Sequence, residues 1–364
     1  MSTSMSGHRT YIPSTADRLT RSAMAAAGNL PASVIRLVAG APKKVDGQTL
    51  DTHFQAGLKV IALRAEAEYE ELPVPEARET VERSAFTAAG TEIDLAVVTD
   101  IVLPLAGDDP ARADLPARVY SAVATDEPQP TLIYFHGGGW TLGSIDSHDS
   151  TCRFLAREGG LKVISVDYRL APEFTFPTPV EDCVAAFRYV RDYAATLGVD
   201  PARIAVGGDS AGGNLATVVC QVTRDAGETM PDFQLLFVPA TDMSKRTRSY
   251  EIFREGFFLT KANMDWYEKN YIRSEDDRLD PRASPLLTPD LTGLPPAYVA
   301  TGGFDPLRDE GEAYARKMSD AGVPVSMRRH PTLVHPFVNA VGASPVARAA
   351  LLEAVGALRM GLAY

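Results

Sequence analysis

Cysteine, long apolar runs and positive charge are all in short supply in this chain. Only three of its 364 residues are cysteine, Cys152, Cys183 and Cys220. The number is odd and no two are spaced as C-x-x-C, so neither a disulfide framework nor a metal site is supported. Three reduced, buried thiols in a reducing compartment are expected instead. No stretch approaches the roughly 20 apolar residues that a membrane-crossing helix needs. The first residues, MSTSMSGHRTYIPSTADRLTRSAMAAAG, lack the basic start and unbroken apolar core of a secretory signal, so a soluble, cytoplasmic protein is expected. Lys and Arg total 36 against 47 Asp and Glu, a net charge of −11. Such a surface repels phosphate backbones and anionic membranes, which argues against nucleic acid or membrane as partner. Internal repeats and low-complexity tracts are absent too. What remains is 45% hydrophobic and 23% charged, the composition of a globular chain with a large core.

Residues 1–85 read as a helical segment. The runs RSAMAAAG and FQAGLKVIALRAEAEYEEL carry apolar residues at helical spacing, and Pro73 and Pro75 break the pattern. From about residue 90 eight short β-rich runs follow: TDIVLP, ARVYSAV, TLIYFHG, KVISVDY, RIAVGGD, QLLFVPATD, AYVATGGFD and VSMRRH. Several are continuously apolar, as in strands buried on both faces of a parallel sheet. Helical stretches separate the later ones, at Val180–Thr196, Ala211–Asp225, Arg308–Ala321 and Ala347–Arg359. The predicted fold class is therefore α/β, a mostly parallel eight-stranded sheet flanked by helices. The first two runs have no helix between them, so they are expected to pair antiparallel at one edge. An aromatic-rich stretch near 244–290 interrupts the alternation. Inserted within a main domain of residues 86–364, it is expected to form, with the N-terminal segment, a cap over the sheet's C-terminal edge.

Within RIAVGGDSAGGNLA lies G-x-S-x-G, as Gly208-Asp209-Ser210-Ala211-Gly212. An apolar strand precedes it and a helical run follows, the strand–turn–helix setting of a nucleophile elbow. So tight a turn needs small flanking residues and strains the central one. It also puts Ser210 Oγ at a helix start, where developing negative charge is favoured.

TLIYFHGGGWTLG places His136-Gly137-Gly138-Gly139-Trp140 directly after a strand. Consecutive glycines let backbone N–H groups turn toward an oxyanion. No Lys or Ser/Thr follows in P-loop spacing, so a phosphate loop is disfavoured. Gly137 and Gly138, with Ala211 after the nucleophile, are the expected donors. His136 is expected to hold the loop. Trp140, beside that loop, and Asp209, beside the nucleophile, are the expected substrate contacts.

A serine nucleophile needs a base, and the base an orienting carboxylate. On such a sheet the chain order is Ser, then Asp or Glu, then His. Only His330 and His335 follow Ser210. His330 ends the last predicted strand, whereas His335 lies in the loop beyond and is favoured. Asp242 and Asp305 both end strands. Asp305, on the next-to-last strand, is better placed to meet the last loop. Asp309 and Glu310 read as helix N-terminal charge.

Together these elements resemble the hormone-sensitive lipase family of α/β-hydrolases, in its GDSAGG-bearing bacterial branch. The matching pieces are FHGGGW (135–140), VDYRLAPE (166–173), FPTPVED (176–182), GDSAGGN (208–214), DPLRDEGEAYA (305–315) and His335-Pro336-Phe337. They fall in family order, and the resemblance covers roughly residues 85 to 360. Pro336 departs from the family's more usual Gly. The resemblance implies hydrolysis of short- to medium-chain carboxylic esters without cofactor, by Ser210, Asp305 and His335. Homodimers are frequent in that family, and Arg169 and Glu173, which belong to its pattern, are expected to tie their loop together. A binding protein on the same scaffold would have lost a triad member. An amidase, lactonase or acyltransferase would keep all three.

Overall fold

The computed structural model describes residues 11–64, 68–105 and 113–364. Eight strands form one sheet: β1 (Val97–Leu103), β2 (Leu115–Ser121), β3 (Gln129–Phe135), β4 (Lys162–Val166), β5 (Val199–Asp209), β6 (Phe233–Phe237), β7 (Ala297–Phe304) and β8 (Val325–Val334). Their spatial order is β8-β7-β6-β5-β3-β4-β2-β1. β2 runs antiparallel to both β1 and β4, and the other neighbouring pairs are parallel. The predicted edge hairpin is therefore present.

Strand periodicity sends successive side chains to opposite faces, and two cores result. Ile133, Phe135 and Val206 face the helices Thr178–Asp192, Ala211–Asp225 and Arg308–Asp320 through Phe187, Val218 and Met318. Leu132, Tyr134 and Ala205 face the helices Asp149–Gly159 and Pro345–Gly361 through Leu155, Leu351 and Leu358. Every residue of β3, β4, β6 and β7 is buried, which is why these runs are apolar without alternation.

Four helices, α1 (Thr15–Gly28), α2 (Ala32–Ala39), α3 (Thr52–Arg64) and α4 (Val74–Ala88), make up the N-terminal segment. Residues 1–10 and 65–67 of it lie outside the described residues. The stretch between β6 and β7 carries further helices at Arg248–Phe253, Lys261–Tyr271 and Glu275–Leu279. The two segments meet through aromatic rings. Tyr69 stacks on Tyr267 with centroids 6.0 Å apart, and their hydroxyls lie 2.7 Å apart. Phe54 meets Phe258 edge-on at 6.0 Å. Among the described residues no single helix is long and apolar enough to cross a membrane.

The chain leaves β3 toward β4 on one side and leaves β5 toward β6 on the other. Ligand crevices form where adjacent parallel strands send their connections in opposite directions, outside the strands' carboxyl ends. β3 ends at Phe135 and β5 at Asp209, so the crevice lies between His136-Gly137-Gly138-Gly139 and Ser210.

Candidate active site

Ser210 sits between β5 and the helix Ala211–Asp225 with φ 56° and ψ −117°. That conformation costs a non-glycine residue about 1–3 kcal/mol. Surrounding structure holds it there: Ser210 donates its N–H to Phe237 at 2.9 Å, and its carbonyl accepts from Ala240 at 3.2 Å. A side chain at Gly208 or Gly212 would collide with the carbonyl oxygen of Phe135. The glycines thus let the elbow press against the end of β3.

His335 opens the short helical turn His335–Ala340 directly after β8. Its Nδ1 lies 3.0 Å from Asp305 Oδ1, and that oxygen also accepts the Leu307 N–H at 2.8 Å. Asp305 is fully buried and follows β7. The histidine is close enough to the Asp209 carboxylate, next to the nucleophile, to help lower its pKa. Ser210 Oγ and His335 make no direct hydrogen bond here; such contacts are commonly long until substrate binds. The last strand runs four residues beyond its predicted end at His330, to Val334, with an irregularity in its pairing between the two. That extension carries His335 to the rim, while the His330 ring packs on Phe337.

The glycine loop departs from expectation at one position. The Gly137 N–H points back at Asp209 Oδ1, 3.1 Å away, so it is not free to hold an oxyanion. Among the described residues, the amides of Gly138, Gly139 and Ala211 have no such partner. Gly138 and Gly139 both have positive φ, and Gly139 packs against the Tyr267 ring so closely that a side chain would not fit. The geometry thus leaves the Gly139 amide, which the sequence reasoning passed over, unbonded where the Gly137 amide is occupied. The third glycine of the run was the available signal.

Asp209 is likewise taken up by protein partners. It is 5% exposed and is not among the residues that line the cavity beside Ser210. It accepts from Tyr134 Oη at 2.7 Å and pairs with His148 Nε2 at 3.2 Å, besides holding Gly137. Burial would raise its pKa, but the charge and hydrogen bond of His148 and the Tyr134 hydroxyl bring it below the ordinary carboxylate value. Its carboxylate is thus engaged by protein groups rather than left open. His136 is fully buried, stacks on Tyr168 at 4.3 Å and touches the Gly137 carbonyl at 2.8 Å. Burial, with His148 nearby, pushes its pKa down to about 4, so it holds the loop as a neutral ring.

Trp140 lines a cavity beside Ser210 and stacks on Tyr271, centroids 4.5 Å apart. Other walls are Ala240, Asp242, Tyr250, Leu259, Tyr267 and Glu310, around an empty volume of about 500 Å³ that opens to solvent. Arg169 forks onto Asp182 at 2.7 and 2.9 Å, and Glu173 pairs with Arg78 of α4 at 2.7 Å. Both thus tie loops together. All three cysteines are buried and free. Among the described residues no group of His, Cys, Asp or Glu is arranged to hold a metal ion.

A family profile described as the alpha/beta hydrolase fold matches residues 132–339, more than half of the chain. The chain belongs to the hormone-sensitive lipase-like carboxylesterases of the α/β-hydrolase fold. It is 42% identical over 335 residues to the carboxylic ester hydrolase LipN of Mycobacterium tuberculosis, covering 90% of this chain and 87% of that one. To the ethyl acetate hydrolase of Pseudomonas putida it is 37% identical over 295 residues, 80% of this chain and 91% of the other. Among solved structures, the ester hydrolase EH1AB1 from the metagenome of Lake Arreo, complexed with a bipyridine phosphonate derivative, superposes with a TM-score of 0.82. It is 42% identical and covers 86% of this chain and 100% of its own. The chain is accordingly an ester hydrolase.

Proposed function

We propose that this ester hydrolase works through Ser210, His335 and Asp305 and an acyl-enzyme intermediate, on short- to medium-chain esters. One observation carries the reading: a serine held at φ 56° at a strand-to-helix turn, on the crevice that a buried His335–Asp305 pair at 3.0 Å borders. Ser210 Oγ attacks the ester carbonyl while His335 takes its proton, and Asp305 orients the imidazole. The oxygen that becomes negative sits on the amides of Gly138, Gly139 and Ala211. His335 then protonates the leaving alcohol, and water repeats the cycle on the acyl-serine. Asp305 Oδ1, His335 and backbone amides perform every proton and charge movement, so the cycle needs no cofactor.

The small cavity supports a short acyl or alkoxy arm, since Leu259, Met264 and Tyr267 line it with apolar surface beside Ser210. The Pseudomonas putida relative, an ethyl acetate hydrolase by name, fits the same range. Purified wild type and Ser210→Ala are compared on p-nitrophenyl acetate, butyrate, octanoate and palmitate. Acetate to octanoate should be turned over, palmitate poorly, and the variant should lose activity by about 10⁴-fold or more. Wild-type-like turnover in Ser210→Ala would remove the serine from the mechanism.

A further inference from the structure

The cavity beside Ser210 is mostly apolar, yet it carries more buried polar groups than a plain acyl pocket requires. Three of its lining residues are more than nine-tenths buried and carry a polar atom with no hydrogen-bond partner: Asp242 Oδ2, Tyr250 Oη and Trp140 Nε1. Asp242 uses its other oxygen on Ser244, accepting the N–H at 2.9 Å and the hydroxyl at 2.5 Å. Its Oδ2 meets only the exposed Lys245 ammonium, 3.5 Å away and outside hydrogen-bonding geometry. Buried polar groups are nearly always satisfied, and an orphan costs about 1–3 kcal/mol. Two orphans and a carboxylate oxygen held only by an ion pair, all on one small cavity that already holds the nucleophile, point to a ligand that supplies their hydrogen bonds.

Their mixture limits the ligand's chemistry. Asp242 accepts, Trp140 donates and Tyr250 does either. Next to Asp242, Glu310 takes the Thr241 and Asp242 N–H groups on Oε1 at 2.7 and 3.2 Å. Burial raises its pKa to about 8, so near neutral pH its free oxygen carries a proton to donate. Across the cavity Arg246 is already spent on Glu268 at 2.7 and 3.0 Å and lies over the Tyr250 ring at 4.6 Å. A carboxylate would face Asp242 and Glu268. An ammonium would face Arg246 and Lys245 and leave the donors idle. A hydroxyl donates and accepts at once.

We propose that this cavity is a polar subsite that selects esters bearing a hydroxyl on the arm lying against Asp242 and Tyr250. The inference rests on the serine-esterase reading above and adds a substrate class to it.

The test is a pair of matched comparisons by pH-stat: methyl 3-hydroxybutyrate against methyl butyrate, and 2-hydroxyethyl butyrate against propyl butyrate. The first pair puts the hydroxyl on the acyl arm and the second on the alkoxy arm. In at least one pair the hydroxylated ester should lead by roughly tenfold in kcat/KM, the worth of one hydrogen bond to a charged group. Asp242→Leu should bring that ratio to about one or below. Tyr250→Phe, which removes a single unbonded oxygen and leaves the ring in place, should lower it severalfold should the leucine variant not fold. Turnover of the plain esters with ratios near one in both pairs overturns the subsite alone. So does a preference that survives in both variants. Failure of wild type on all four esters overturns the subsite together with the short-ester reading.

Discussion

At the scale of single residues, Asp209 has the most work and the least obvious role. Its neighbour Ser210 is legible from G-x-S-x-G because the turn's steric demands are written in the flanking glycines. The Asp209 side chain is different. Its direction depends on where Tyr134 and His148 lie, and these come from β3 and from the start of the helix Asp149–Gly159. Local sequence cannot convey that, so the aspartate reads as a substrate contact. The same geometry accounts for the Gly137 amide being occupied. One of three equivalent-looking glycines is taken by a carboxylate 72 residues away. Asp209 therefore fixes the loop that presents Gly138 and Gly139. Asp209→Asn keeps the shape but loses the charge facing His148 and half of the acceptor capacity. Kinetics on p-nitrophenyl butyrate should show kcat down by about 10- to 1,000-fold, the scale of a disturbed oxyanion hole, with KM little changed. A change confined to KM would contradict the clamp.

At the scale of elements, the strands were legible where burial is two-sided and the helices where periodicity is strong. The runs that became β3, β4, β6 and β7 are apolar throughout because both faces are covered. The end of β8 was not legible, since Arg328-Arg329-His330-Pro331 reads as a strand stop. The chain continues because Gly302 and Gly303 of β7 let Pro331, Leu333 and Val334 pack against their backbone. How α4 docks was equally hidden. Arg78 of α4 reaches the carbonyls of Thr141 and Ala171 at 3.0 and 2.9 Å and forks onto Glu173. One turn further along, Glu82 accepts the Ser144 hydroxyl at 2.7 Å. Burial lifts the Glu82 pKa from 4.5 to about 7, against the opposing Ser144 hydrogen bond. A carboxyl whose folded pKa is raised holds its proton more tightly folded than unfolded. Its contribution is best below pH 4.5 and worsens as pH rises to about 7, where the folded form must also ionise. Glu82→Gln removes that loss and keeps the acceptor for Ser144. Thermal melts at pH 5 and pH 8 should therefore show a smaller fall in Tm for Glu82→Gln than for wild type. Equal falls would mean that Glu82 ionises freely.

At the scale of the whole molecule, net charge and strand order mark what composition can and cannot convey. A surplus of 11 negative charges predicts a surface and not a pocket, where Arg246 and Glu268 neutralise each other. Alternating strands and helices imply a parallel sheet, yet not which side of β3 each later strand joins. That choice creates the crevice, and long-range packing decides it. The sheet also ends in a question of assembly. β8 is the outer strand, and residues 326–329 are exposed. Above them the N-terminal segment covers the edge, with the Asp51 N–H donating to the Thr332 carbonyl at 2.9 Å. Charged edge residues ordinarily keep strands apart. Here Arg328 is matched by Glu353 at 3.2 Å and Arg329 by Glu312 at 2.6 Å, so the edge repels little. Met327, 42% exposed, immediately precedes them on the strand. An unpaired, charge-balanced edge suits a second copy added antiparallel about a twofold axis, which presents the same residues to themselves. Light scattering should then give twice the chain mass. Met327→Lys sets like charges across the axis and should shift the protein to monomer, with a Tm change of only a few degrees for so exposed a side chain. A wild-type monomer, or a dimer indifferent to Met327→Lys, would place the contact elsewhere or remove it.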